Sequence, residues 1–177
     1  MLRPMDFTHF LKTIGSGALQ AVVGHWHEAR GSMPITPWEN LNPARIAPHL
    51  SILWVYRFDP AQEQFVGRLA GDRIAWGLGK NFRGTPMREL WPSPVYELSH
   101  RIMMRVMSEP VIYRNAGGLF KHGGRIIAGE RIILPLGGDG ARGDGVLGAS
   151  VYHHPLRTLE HGPVELISED AEWFSIS

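Results

Sequence analysis

Residues 51–58, Ser-Ile-Leu-Trp-Val-Tyr-Arg-Phe, constrain the fold more than any other stretch. Extended, they place Ile52, Trp54, Tyr56 and Phe58 on one face and Leu53, Val55 and Arg57 on the other. Both faces are mostly apolar, so both must be covered, as for a central strand. Asp59-Pro60 then signals a turn. Residues 60–63, Pro-Ala-Gln-Glu, read as a polar hairpin loop, and residues 64–71 as the second strand. After it the pattern changes. Residues 72–77 and 85–91 are too short for free-standing helices, and Gly77, Gly79 and Gly84 punctuate them. Two strands running into one-turn helices predict a sheet with a helical flap over one face, enclosing a pocket.

The remaining elements follow from periodicity and breakers. Asp6 or Thr8 can cap a helix whose apolar positions are Phe7, Phe10, Leu11 and Ile14. Residues 15–17, Gly-Ser-Gly, break it, because each glycine costs about 1 kcal/mol in a helix interior. A longer helix spans about 18–30, with Leu19, Val22, Val23 and Trp26 at spacings of three and four and Gly31 as C-cap. It serves as an amphipathic cover helix or as a dimerisation helix, since its apolar stripe extends beyond the compact domain.

Residues 32–48 hold Pro34, Pro37, Pro43 and Pro48 and read as an extended linker. A short helix near 42–47 follows, with Asn42 as cap and Pro43 at its first position. Beyond Trp91, a helix runs from Pro94 to about residue 108 on the stripe Val95, Leu98, Ile102, Met103, Val106 and Met107, and Glu109-Pro110 stops it. Strands at 111–115, 129–136 and 146–152 follow, separated by glycine turns at 117–118, 123–124 and 137–140. Strands split around a helical insertion predict an α+β domain: a five-stranded antiparallel sheet, short helices on one face and an N-terminal cover helix.

Composition narrows the function. At 177 residues the chain fits one domain with a modest extension. The expected division is a helical extension over 1–31, the domain over 32–155 and a tail over 156–177. Net charge is +1, and no basic stripe is present, so nucleic acid is not an expected partner. Cysteine is absent, which removes disulfides, thiolate metal sites and thiol nucleophiles together. The N-terminus has no long apolar run and carries an early Asp6, unlike a secretory signal. No window approaches the ~18 apolar residues of a membrane span. A soluble cytoplasmic protein with no membrane partner is expected.

Several short motifs recur in a fixed order over residues 26–155. Trp26-x-x-x-Arg30-Gly31 precedes Pro34, Pro37, Trp38 and Pro43; Arg68 is followed by Gly71; Gly79 and Gly84 bracket four residues; Leu147-Gly148 sits in the last strand. With residues 52–58 and with 134–140, Leu-Pro-Leu-Gly-Gly-Asp-Gly, this order resembles the PAS domain. More narrowly, it resembles an alphaproteobacterial PAS-like family formerly labelled a domain of unknown function. The resemblance implies a PAS-like fold and a sensory or protein-interaction module that is not an enzyme. Members often carry a polar or acidic residue after the second strand, at the pocket mouth. Here that place holds Gly71-Asp72-Arg73-Ile74 and the bulky Trp76, so the pocket is expected to be small or filled by side chains.

The candidate ligand-binding wall is Trp54, Tyr56, Ile74, Trp76, Phe82, Met87, His100, Met103, Met107 and Ile132. It is apolar, as small-molecule sites are, and the same residues could equally form a solid core. His100 is the sharpest single candidate. Haem-carrying relatives in the PAS superfamily take their axial histidine from a helix in this place, which makes a haem-based gas or redox sensor the alternative reading. Against it, His100 lies off the main stripe of its helix. No other cofactor is required. Flavin–cysteine adduct chemistry is excluded, because the stretch at 81–83 is Asn-Phe-Arg and no cysteine exists; noncovalent flavin stays open.

No metal site is expected. His25 and His27 point in different directions on one helix, and His153 and His154 on one strand. Residues 148–152, Gly-Ala-Ser-Val-Tyr, lack the second glycine of a nucleophile elbow, which leaves a small hydrolase or isomerase the weakest reading. About 20 residues follow His154, too few for an output domain, so signalling in trans is expected. The partner would be a second copy docked through the N-terminal helix, or another signalling protein.

Overall fold

Capping and glycine chemistry set the N-terminal path. The computed structural model describes residues 2–3, 5–75, 80–154 and 163–176. Strand β1 (Leu2–Arg3) leads into α1 (Phe7–Thr13), whose first turn is capped by Asp6 accepting from the His9 amide at 3.0 Å. Ile14 is already extended, and Ser16 caps α2 (Gly17–Arg30) by accepting from the Leu19 amide. Gly31 ends α2 at φ 56, a left-handed value that glycine adopts without strain. The linker holds β2 (Thr36–Pro37), and Asn42 caps α3 (Pro43–Ile46) through the Ala44 amide.

The hairpin follows as β3 (Leu53–Asp59) and β4 (Gln64–Ala70); Ser51 and Ile52 end a preceding 3-10 turn instead of opening the strand. Then come the one-turn helices α4 (Asp72–Ala75) and α5 (Met87–Leu90) and the long α6 (Ser93–Ser108). The C-terminal half is β5 (Val111–His122), β6 (Arg125–Gly137), β7 (Gly145–Tyr152), β8 (Val164–Leu166) and β9 (Glu172–Ser175).

The α+β class expected from the sequence is the one observed, with two corrections. Five long antiparallel strands run in the order β5-β6-β7-β3-β4, but the described residues hold nine strands, not five. β9 and β8 extend β5, β1 pairs in parallel with β9, and β2 pairs in parallel with β6. A second correction concerns Gly117-Gly118, read as a turn. They lie inside β5, where Gly117 takes φ 121 and the register to β6 shifts between Gly118 and Phe120. The bulge absorbs one residue and lets the strand continue to a real turn at Gly123-Gly124. Residues of the tail complete the sheet edge as β8 and β9, because β5 would otherwise present unpaired amides.

Each sheet face carries its own core. On one face α1 and α2 bury Phe10, Leu19, Val22 and Trp26 against Leu53, Ile112, Ile132 and Leu147. Full burial of each such side chain contributes about 1.5–3 kcal/mol as an upper bound. Trp26 also donates from Nε1 to the Pro135 carbonyl at 3.0 Å, which satisfies its one polar atom. The apolar stripe of α2 is thus consumed inside the protomer, leaving Gly17, Ala21 and Glu28 as its exposed positions. On the other face α4, α5 and α6 cover Trp54, Tyr56, Phe65, Tyr113 and Ile133. No described helix is long and apolar enough to cross a membrane.

Candidate functional site

The flap side of the sheet is not filled. A cavity of about 80 Å³ lies between the strands and the helical layer. Trp54 and Tyr56 of β3 form its floor with Tyr113 and Phe120 of β5 and Ile133 of β6. Its roof is Ile74, Phe82, Trp91 and the α6 residues Val95, Ser99, Ile102 and Met103. Arg131, Tyr152 and the β8 residues Val164 and Leu166 close one end.

Two glycines set this shape. A Cβ on Gly148 would stand 2.1 Å from the Trp54 indole, so that ring lies flat on bare backbone across the sheet. A Cβ on Gly67 would stand 2.1 Å from the Phe82 carbonyl oxygen, so the flap reaches the strand only because that position is bare. In both places glycine is required by close approach, not by backbone angle.

A polar corner interrupts the apolar wall. Trp54 Nε1 donates to Ser150 Oγ at 3.1 Å, and Arg131 Nε donates to the same oxygen at 2.9 Å. Arg131 Nη2 donates to the Tyr152 hydroxyl at 3.3 Å, and Trp91 Nε1 to the Tyr56 hydroxyl at 3.1 Å. Burial raises the pKa of Tyr56, against the opposing bond from Trp91 and the charge of Arg131. Burial raises that of Tyr113 as well, again opposed by Arg131. Both phenols therefore stay neutral at ordinary pH.

Of the residues singled out from sequence, Trp54, Tyr56, Ile74, Phe82 and Met103 line the cavity together. Trp76 lies outside the described residues. Met87 and Met107 are buried in the same layer but behind the wall, Met107 against Gly143. Ile132 faces the other way, into the core under α1 and α2, and its neighbour Ile133 takes the place foreseen for it. His100 does not line the cavity. Its Nε2 sits 3.3 Å from the Glu63 carbonyl oxygen and its ring packs edge-on to Phe65 with centroids 5.5 Å apart. A haem does not fit there: the histidine faces the β3–β4 loop, and the cavity is far smaller than the macrocycle. Among the described residues no group of three or more His, Asp or Glu side chains could hold a metal ion.

Sequence reasoning missed Arg131, Tyr152, Tyr113, Phe120, Val164 and Leu166. Alternation offered a signal for two of them. Arg131 and Ile133 are two apart on one strand, as are Ser150 and Tyr152 on the next, and Arg131 is paired across the ladder with Ser150.

An antiparallel sheet in the order β5-β6-β7-β3-β4, split in the chain by a helical insertion that roofs a small cavity, defines an α+β protein with a roofed sheet. The family model for the PAS domain matches residues 15–151, and the chain belongs to that family. PAS domains are generally sensory, non-catalytic modules and commonly mediate protein interaction and dimerisation. Comparisons with curated proteins and with solved structures give no match.

Proposed function

We propose that this chain is a PAS-type sensory module whose cavity takes a small, mostly apolar ligand and which reports occupancy to another protein. The observation that carries this reading is a chamber of about 80 Å³ left open among aromatic and aliphatic side chains on the flap side of the sheet. Protein interiors normally close such space, because empty volume forfeits packing contacts. A non-catalytic role is supported by the wall itself. Among the described lining residues there is no carboxylate and no histidine to act as base or acid.

The reporting element that fits best is the C-terminal strand pair. Val164 and Leu166 touch the cavity, while β8 is held by only a three-residue ladder to β5. Ligand contact with these two side chains favours the docked strand, and a partner reads the edge that β8 presents. A homodimer through the N-terminal helix is the other partnership consistent with the family. It would rest on Gly17, Ala21 and Glu28 unless α2 leaves the sheet.

Native mass spectrometry of the purified protein, with tryptophan emission followed as toluene or hexanol is added, tests the reading. A small-molecule adduct, or an emission change from Trp54 and Trp91 that saturates, is the expected result. Bare protein mass together with unchanged emission would remove the ligand-binding function.

A further inference from the structure

We infer that the ligand is a small carboxylate, an aromatic or short aliphatic acid whose charged end is held by Arg131 and the Tyr152 hydroxyl. This rests on the reading of the cavity as a ligand site and says which class of molecule occupies it. Arg131 stands half-buried at the end of an apolar chamber. Among the described residues its partners are two hydroxyls, Ser150 Oγ and the Tyr152 hydroxyl, and no carboxylate stands within ion-pair distance. Hydroxyls lend lone pairs but no countercharge.

Donors outnumber acceptors at this corner. Guanidinium has five N–H groups. Two of them are engaged in the two bonds just named. Ser150 Oγ already receives both Trp54 and Arg131, so its lone pairs are committed. Tyr152 receives Arg131 and keeps its own O–H to donate. What converges on the cavity is a cation with spare N–H groups beside a free hydroxyl donor, a set that an acceptor bearing negative charge would complete. The planar fork of arginine matches a carboxylate in two parallel bonds. The remaining wall, with Trp54, Tyr113 and Phe120, accepts a flat or short apolar body.

The test is calorimetric titration of the full chain with benzoate and hexanoate, set against benzamide and hexanamide. The acids should bind, and the amides at least tenfold more weakly. Arg131→Met should bring acid and amide level, and Arg131→Lys should restore part of the preference. Equal binding of acid and amide by the unaltered protein overturns the carboxylate assignment and leaves the cavity a ligand site. Binding of none of the four overturns both readings. If Arg131→Met does not fold, Tyr152→Phe, which removes one hydroxyl, should weaken the acids and spare the amides. An unchanged acid preference in the variants also overturns the assignment.

Discussion

Arg114 and Arg131 sit one step apart in the β5–β6 ladder, where Arg114 pairs with Ile132 and Asn115 with Arg131, so they leave opposite faces of one sheet. Their surroundings differ in kind. Arg114 donates to Glu130 at 2.8 Å, to Glu172 at 2.7 Å and to the Thr13 carbonyl at 2.9 Å. Glu130 in turn accepts from the Gly15 and Ser16 amides, so this cluster ties the α1–α2 junction and β9 to the sheet. Its cation faces two carboxylates and a carbonyl. Among the described residues Arg131, by contrast, meets only hydroxyls and an opening. An arginine saturated by carboxylates fastens secondary structure together, whereas one left with spare donors at a cavity is disposed to bind something else.

This contrast can be broken most forcefully at the saturated end. Arg114→Ala removes the buried cation that faces Glu130 and reaches Glu172, and should lower stability by about 3–5 kcal/mol, read from urea unfolding. A loss under about 1 kcal/mol would show that the cluster is not structural. Gly148→Ala comes next. Its methyl group must lift the Trp54 ring into the cavity, so stability should fall by about 1–3 kcal/mol and ligand-induced emission changes should vanish. Arg131→Met should alter stability by less than about 1 kcal/mol, since it removes a half-buried charge and two bonds to hydroxyls without stranding any ion. A loss comparable to that of Arg114→Ala would make the two arginines equivalent.

The smallest effect concerns pH, on the helix side. Burial, then the charges of Arg45 and Arg30, lowers the pKa of His25 and His27 below the usual 6.5. His25 Nε2 accepts from the Asn42 amide at 2.9 Å, a bond that only the neutral ring can make. The unfolded chain therefore takes up these protons first as pH falls. Stability is intact above about pH 6.5 and declines below it until the folded-state pKa values are passed. The melting temperature should drop between about pH 7 and about pH 5, and less so in His25→Gln. A flat profile over that range would contradict the assignment.

The sequence makes the framework readable because its signals are local. Caps at Asp6 and Asn42, the glycine after Arg30, and proline at both ends of α6 each act within one turn. The β3 wall is equally plain, since Trp54 and Tyr56 alternate with Leu53 and Val55. The β6 wall is not. Its run Ile-Ile-Leu-Pro-Leu is apolar on both parities, so nothing in it distinguishes Ile132 from Ile133. Phe120 is hidden by the Gly117-Gly118 pair, which mimics a turn although the strand passes through it. Val164 and Leu166 depend on the tail returning to β5, a long-range pairing with no sequence mark. The polar corner is likewise a cross-strand fact, made when Arg131 and Ser150 come opposite each other.

Gly148 has a bearing on how such domains diverge. Its hydrogen is the only substituent that lets the Trp54 indole lie against the backbone. Glycine and alanine codons differ at a single base, so a lineage can lose the chamber in one mutational step while keeping every strand and helix. Homologues with a side chain at this position would retain the architecture with a filled interior, and those with glycine would retain the chamber.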